Sequence, residues 1–377
     1  MPDEHLLFHG ARLDPQQTRG ILDHIFQSNL KQNEAGKRGA PICIWGLHGI
    51  GKTSLVQDYA REHGWKFAYC APAQFEEMGD LHGLPTRIDP DPDIQGDEYT
   101  TFLPPDWVPT EEGPGILLLD DINRADDRIL RGLMQLLQNF EMFSWSLPAK
   151  WQIVATANPE GGDYSVTPMD DAMLTRMMHV TMNFDVKAWA AWALQAGVDT
   201  RGIDFVLTYP ESVTGGRTTP RTLCQFFDGI QDIADLKANI ELVNILGQSC
   251  LDEVTVADFL AFVKDNLEQL ISPEEILDAD DFAPVSKRVT QLSKGDGDAK
   301  RVDRLATICT RVYLHLAEPA YQPGDQHPDN LVRFLTHKEL PNDLRFSLHK
   351  DLVNLKKPAV TRMMRNKKLA DLVLLGM

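Results

Sequence analysis

Gly46, Gly51, Lys52 and Thr53 stand at the spacing Gly, four residues, Gly-Lys-Thr, within Gly46-Leu47-His48-Gly49-Ile50-Gly51-Lys52-Thr53. Each residue type has a chemical reason to be there. Glycines let backbone N–H groups turn inward around phosphate oxygens, the lysine reaches β and γ phosphates, and the threonine hydroxyl ligates Mg2+. Gly46, His48, Gly49, Ile50, Gly51, Lys52, Thr53 and Ser54 are therefore the candidate contacts to the phosphates of a nucleotide. Two carboxylates follow at the end of an apolar run, Gly115-Ile-Leu-Leu-Leu-Asp120-Asp121. In that position Asp120 would hold Mg2+ beside Thr53, directly or through water, and Asp121 would orient or deprotonate the attacking water. A third polar residue, Asn158, ends the run Trp151-Gln-Ile-Val-Ala-Thr156-Ala157-Asn158-Pro159, where ligands bind if that run is a parallel strand.

These groups need a scaffold that brings the ends of several strands together, and the chain spells one. Pro41 to Trp45 predicts a buried strand entering the loop, and Ser54 to His63 a helix ended by Gly64, so the phosphate would meet a helix N-terminus. Strands are expected at 65–70, 115–119, 151–156 and 179–182, five in all. Helices are expected at 16–30 and 126–140 from their apolar spacing, and Met142 to Lys150 suggests a hairpin. Arg87 to Gly113 is rich in Pro and Asp. Its Asp89-Pro-Asp91-Pro-Asp93 alternation invites a calcium loop, but Ile94 stands where that loop needs Gly, leaving a solvated acidic loop as the expectation.

From Asp185 onward the pattern is helical. Thr219-Pro220-Arg221 predicts an N-cap, a proline at the first helical position and an arginine on the first turn, and Ser272-Pro-Glu-Glu275 a capping box. The expected fold class is α/β, a doubly wound parallel sheet of the P-loop NTPase kind, followed by an all-α lid and a C-terminal helical region. The domains would span 1–184, 185–280 and 281–377, the last ending in a basic tail with Arg365, Lys367 and Lys368.

With 377 residues the chain exceeds one typical domain, and its net charge of −18 disfavours nucleic acid and anionic membranes, pointing to protein partners. Five scattered cysteines without a Cys-x-x-Cys pair fit reduced thiols. No apolar run approaches a membrane span and Asp3 and Glu4 replace an apolar leader, so a soluble cytoplasmic protein is expected. No Asn-Lys-x-Asp guanine signature occurs, since Asn366-Lys367-Lys368 continues with Leu369.

The order of phosphate loop, Leu117-Leu-Leu-Asp-Asp-Ile-Asn-Arg-Ala125, Ala155-Thr-Ala-Asn-Pro159, Leu174-Thr-Arg176 and Thr219-Pro-Arg221 resembles that of the AAA+ ATPases. The Asp-Ile-Asn-Arg-Ala string and Phe75-Glu-Glu-Met-Gly-Asp-Leu-His-Gly-Leu-Pro85 resemble its MoxR branch, among the dynein-related P-loop NTPases. The resemblance covers about residues 15–235. It implies a sensor 1 role for Asn158, a sensor 2 role for Arg221 on a helical lid, and an arginine finger at Arg176 that acts on the neighbouring subunit's ATP. It also implies a ring, a hexamer in this family, that acts as a chaperone or remodeller, commonly with a partner carrying a von Willebrand factor A domain. Three residues depart from the family pattern. Asp121 replaces the usual Glu, which predicts slow turnover, Thr175 and Met177 replace the usual flanks of the finger, and Asp126 replaces a Pro. Arg124 is the alternative trans-acting arginine. A nucleotide-dependent switch or scaffold with little hydrolysis is the alternative function, and a nucleic-acid motor a more distant one.

Overall fold

The computed structural model describes residues 6–90, 98–161, 165–213, 216–265, 270–294 and 300–365. The chain forms two compact units, Met1–Asp185 and Val186–Met377.

In the first unit the elements run β1 (Ala11–Leu13), α1 (Pro15–Glu34), β2 (Ile42–Trp45), α2 (Lys52–Glu62), β3 (Lys66–Cys70), α3 (Met78–His82), β4 (Leu84–Ile88), β5 (Tyr99–Leu103), β6 (Gly115–Leu119), α4 (Asp127–Asn139), β7 (Glu141–Met142), β8 (Trp145–Ser146), β9 (Trp151–Ala157), α5 (Asp171–Leu174) and β10 (Met178–Met182). Six strands make one sheet in the order β1-β10-β2-β9-β6-β3, every neighbouring pair parallel. Successive strand residues face opposite sides. Ile42, Ile44, Ile116, Leu118 and Val154 pack with Leu22 and Phe26 of α1 and Leu55 and Val56 of α2. Their neighbours Cys43, Trp45, Leu117, Leu119 and Ile153 pack on the other side with Ile129, Leu133, Leu136 and Leu137 of α4. Both faces are covered, which is why these strands are apolar throughout rather than alternating. The doubly wound α/β arrangement is the one expected.

Two expectations need correction. The sheet has six strands, not five, because Ala11–Leu13 pairs with Val180–Met182 at the edge. Three residues in a polar segment are too short for a periodicity signal. The stretch taken as an acidic loop from Arg87 is in part an antiparallel hairpin, with β4 and β5 paired from Leu84–Leu103 to Ile88–Tyr99. Pro85 fits within β4 because in a two-stranded ribbon each strand is an edge and tolerates a missing donor. Asp91 and Asp93 lie outside the described residues. The departure at Asp126 has a simple outcome: its side chain accepts from Ile129 N at 2.9 Å and caps α4.

The second unit is helical among its described residues: α6 (Val186–Gln195), α7 (Thr200–Thr208), α8 (Pro220–Ile230), α9 (Ile240–Cys250), α10 (Glu253–Asp265), α11 (Pro273–Leu277), α12 (Phe282–Leu292), α13 (Val302–Ala317), α14 (His327–Leu335), α15 (Asn342–Asn354) and α16 (Pro358–Met364). Thr219 caps α8 and Ser272 caps α11, each as a capping box. Leu305, Ile308 and Val312 of α13 share a core with Ile276 of α11, Phe334 of α14 and Leu352 of α15. Lys367 and Lys368 of the basic tail lie outside the described residues. No described helix is long and apolar enough to cross a membrane.

One group in this unit makes stability depend on pH. Asp204 of α7 is buried against Arg311 of α13, Oδ1 to Nε 3.2 Å, and burial outweighs the guanidinium, pushing the carboxyl up to about 6. In the unfolded chain it titrates near 4. Between those values the folded unit keeps a proton that the unfolded chain has released, so this group's contribution to stability falls as pH rises through the window. A shift of that size corresponds to about 3 kcal/mol. Urea unfolding at pH 4 to 7 is expected to show a correspondingly flatter pH profile in Asp204→Asn than in wild type. Equal slopes would assign the dependence to other groups.

Candidate active site

The phosphate loop connects β2 to α2 at the C-terminal edge of the sheet. Gly49 and Gly51 take left-handed backbone conformations, φ 72° and 93°, which side chains rarely adopt. A Cβ on Gly46 would approach Ile50 Cδ1 and the Met182 carbonyl to 2.7 Å, so the loop packs directly on the end of β10. Lys52 is 6% exposed, and its Nζ donates to Gly46 O (2.8 Å), Leu47 O (3.0 Å) and Asn158 Oδ1 (3.2 Å). The ammonium is thus held over the loop. His48 and Ile50 are partly buried within the loop, and Ser54 is exposed on the first turn of α2.

Thr53 and Asp120 meet as expected: Thr53 Oγ1 donates to Asp120 Oδ1 at 2.7 Å. The same carboxylate oxygen accepts from Thr156 Oγ1 at 2.7 Å, and that hydroxyl in turn accepts from Asp121 N at 2.8 Å. Tyr69 OH donates to the other oxygen, Asp120 Oδ2, at 3.1 Å. Burial, then the Asp120 charge, push the Tyr69 phenol up to about 12, so it remains a donor at neutral pH. Asp120 is held from β3, α2 and β9 at once.

Asn158, fully buried, links the lysine to the second carboxylate. Its Oδ1 accepts from Lys52 and its Nδ2 donates to Asp121 Oδ1 at 2.9 Å. Its backbone is fixed by Asn123, which accepts from Asn158 N (3.0 Å) and donates to Asn158 O (2.8 Å). Asp121 is left-handed at φ 49° and ψ 46°, a conformation that Asp tolerates better than most residues because its short side chain bonds locally. Its Oδ2 lies 3.2 Å from Arg124 Nε. The carboxylate is therefore engaged on both oxygens.

Arg176 follows α5. Its Nε donates to Gln138 Oε1 at 3.2 Å and its guanidinium to the Ala172 carbonyl, so within its own chain it is anchored to the surface of α4 and α5. Arg221 is exposed on the first turn of α8, in the second unit. The structure thus gathers Lys52, Thr53, Asp120, Asp121 and Asn158 at one place and leaves Arg176 outside that hydrogen-bonded group. Sequence reasoning missed Tyr69, Thr156 and the structural role of Asn123. The available signal was a polar residue at or near the C-terminal end of an apolar parallel strand.

Thr53 Oγ1 and Asp120 Oδ1, two hard oxygen donors 2.7 Å apart beside a phosphate loop, fit Mg2+, which takes few protein oxygens and completes its shell with water and phosphate.

Among known families, residues 41–177 match the AAA domain of the dynein-related subfamily. The matched span contains the phosphate loop, both carboxylates, Asn158 and Arg176, and Arg221 lies beyond it. No curated protein matches the chain. Among solved structures, RuvB, the Holliday junction branch migration motor of Thermotoga maritima, is 15% identical over 69% of this chain and 79% of that chain, with a TM-score of 0.39. Two single-residue variants of RuvB align at 13% identity over 71% and 84% (TM-score 0.40), and at 14% over 82% and 89% (TM-score 0.39). The fold rests on the strand order and the loop, not on these alignments.

Proposed function

We propose that the chain binds and hydrolyses ATP, and that copies of it form a ring that remodels a protein partner. The observation that carries the ATPase reading is the network in which Asn158 joins buried Lys52 to Asp121 while Thr53 shares Asp120. Lys52 would hold the β and γ phosphates, and the backbone N–H groups of Gly49 to Thr53 would hold their oxygens. Mg2+ held by Thr53 and Asp120 would neutralise phosphate charge. Asp121 would accept the proton of the attacking water, with Asn158 fixing its orientation. Arg221 is proposed as the sensor 2 contact and Arg176 as the trans-acting finger, with Arg124 the alternative.

The MoxR assignment, a hexamer, a chaperone role and a von Willebrand factor A domain partner are supported by the Asp-Ile-Asn-Arg-Ala string and by an acidic chain that repels nucleic acid. A cytoplasmic location is supported by free cysteines, of which Cys43, Cys70 and Cys309 are buried. The test is steady-state phosphate release against protein concentration. Specific activity that rises with concentration supports a site completed by a neighbouring copy, and concentration-independent turnover overturns the ring.

One observation favours a second reading, a nucleotide-dependent switch: Asp121 is tied to Asn158 and Arg124, so its oxygens are already occupied. Asp121→Asn separates the two. As an ATPase the variant loses about a hundredfold or more in turnover while ATP affinity stays within about twofold, because a base acts in the transition state and not in binding. As a switch, wild type and variant bind ATP alike and neither turns over.

A further inference from the structure

We propose that His179 is a positioning residue that ties each copy's phosphate loop to the arginine it presents to its neighbour. This rests on the reading of Arg176 as that arginine.

The tie is a short chain of hydrogen bonds across two strands. Trp45 is the last residue of β2, next to Gly46 of the loop, and is fully buried. Its indole Nε1–H donates to His179 Nδ1 at 2.9 Å. An imidazole nitrogen that accepts carries no proton, so the neutral ring holds its hydrogen on Nε2, which donates to the Leu174 carbonyl at 2.7 Å. Burial lowers the His179 pKa, which keeps the ring neutral and the acceptor available to the indole. The Leu174 carbonyl also accepts from Met177 N at 3.2 Å. Thr175 and Arg176 are the two residues enclosed by that turn, so the imidazole grips the base of the segment that carries Arg176.

The surroundings hold the imidazole in place. Gly10 runs over the His179 backbone so closely that a Cβ there would lie 2.0 Å from its carbonyl oxygen. The His9 ring packs 4.5 Å from the Trp45 ring and 5.8 Å from that of His179, with its buried Nε2 lacking a hydrogen-bond partner among the described residues. A chain of donors at fixed spacing with no slack transmits a shift of the loop end to the turn at 174–177.

Hydrogen–deuterium exchange of the full-length protein, with and without ATP and Mg2+, tests the tie independently of turnover. In wild type, ATP is expected to change the exchange of the 175–178 amides along with those of the phosphate loop. In His179→Leu the loop amides still respond and the 175–178 amides do not. His179→Gln, whose amide N–H reaches a position similar to that of Nε2, restores the response. No ATP response at 175–178 in wild type, or an equal response in His179→Leu, overturns the proposal, and so does a wild-type loop that does not respond to ATP. Phosphate release supplies the second readout. His179→Leu is expected to lower kcat about tenfold with KM little changed, since misplacing a catalytic group by about 1 Å costs up to about a hundredfold. Adding it to Arg176→Ala is expected to cost nothing further. Full additivity places His179 on another path and overturns the tie, whereas wild-type turnover in Arg176→Ala alone overturns the underlying reading of the arginine.

Discussion

Lys52→Ala is expected to abolish ATP hydrolysis, lowering turnover by about a thousandfold, and to weaken ATP binding by about tenfold or more. Lys52 is almost wholly buried, yet its three named acceptors are two backbone carbonyls and an amide oxygen. Uncharged acceptors stabilise a buried ammonium less than an anion would, so the γ-phosphate is a better partner than any of these three. Charge-assisted contacts of this kind contribute about 1.5–3 kcal/mol each, which sets the loss in affinity. The loss in turnover is larger because charge builds on the transferred phosphoryl group in the transition state. Calorimetric titration with ATP gives the first quantity and phosphate release the second, with a melting curve to show that the fold persists. Turnover of Lys52→Ala within a few fold of wild type would falsify the placement of the nucleotide on this loop.

Arg176→Ala is expected to reduce turnover by about a thousandfold while leaving ATP affinity unchanged. Within its own chain Arg176 bonds Gln138 and the Ala172 carbonyl, neither of which bonds the cluster around Lys52, so its removal is expected to leave that cluster intact. Arg176→Lys is expected to fail nearly as badly, because an ammonium cannot reproduce the planar fork of a guanidinium. Mixing provides the decisive measurement. Lys52→Ala lacks a working loop but presents an intact arginine, and Arg176→Ala is the reverse. Combined in equal amounts, the two inactive proteins should regain activity, because about a quarter of the sites in a randomly mixed ring pair an intact loop with an intact arginine. Absence of recovery, with co-assembly confirmed by light scattering, would move the trans-acting role to Arg124 or remove it.

The fold class and the residues proposed for the site are legible in the sequence. A glycine loop, a lysine and a threonine in register have few other uses, and short runs such as Ile-Leu-Leu-Leu alternating with helical patterns fit strands covered on both faces. What escaped were groups whose meaning depends on a neighbour far away in sequence. Tyr69 reads as any exposed tyrosine near the end of a strand until β3 lies beside β6 and its hydroxyl meets Asp120. Asn123 stands in the sequence only as part of the Asp-Ile-Asn-Arg-Ala string, and only the fold shows that it locks the backbone of Asn158, 35 residues on.

The sequence by itself determined the chemistry and the layering. The spacing around Lys52 points to the proposed phosphate ligand, the paired Asp120 and Asp121 to the proposed metal ligand and base, and apolar runs alternating with amphipathic helices to a parallel sheet. Local chemistry and periodicity suffice for these, since each depends on residues within about two turns or one strand of each other. The tertiary structure alone decided the pairing of strands, and with it every contact between them. It set Thr156 against Asp120, carried Ala11–Leu13 to the sheet edge, and laid His179 beside Trp45, because parallel strands are joined through crossovers and their register is a property of the whole sheet.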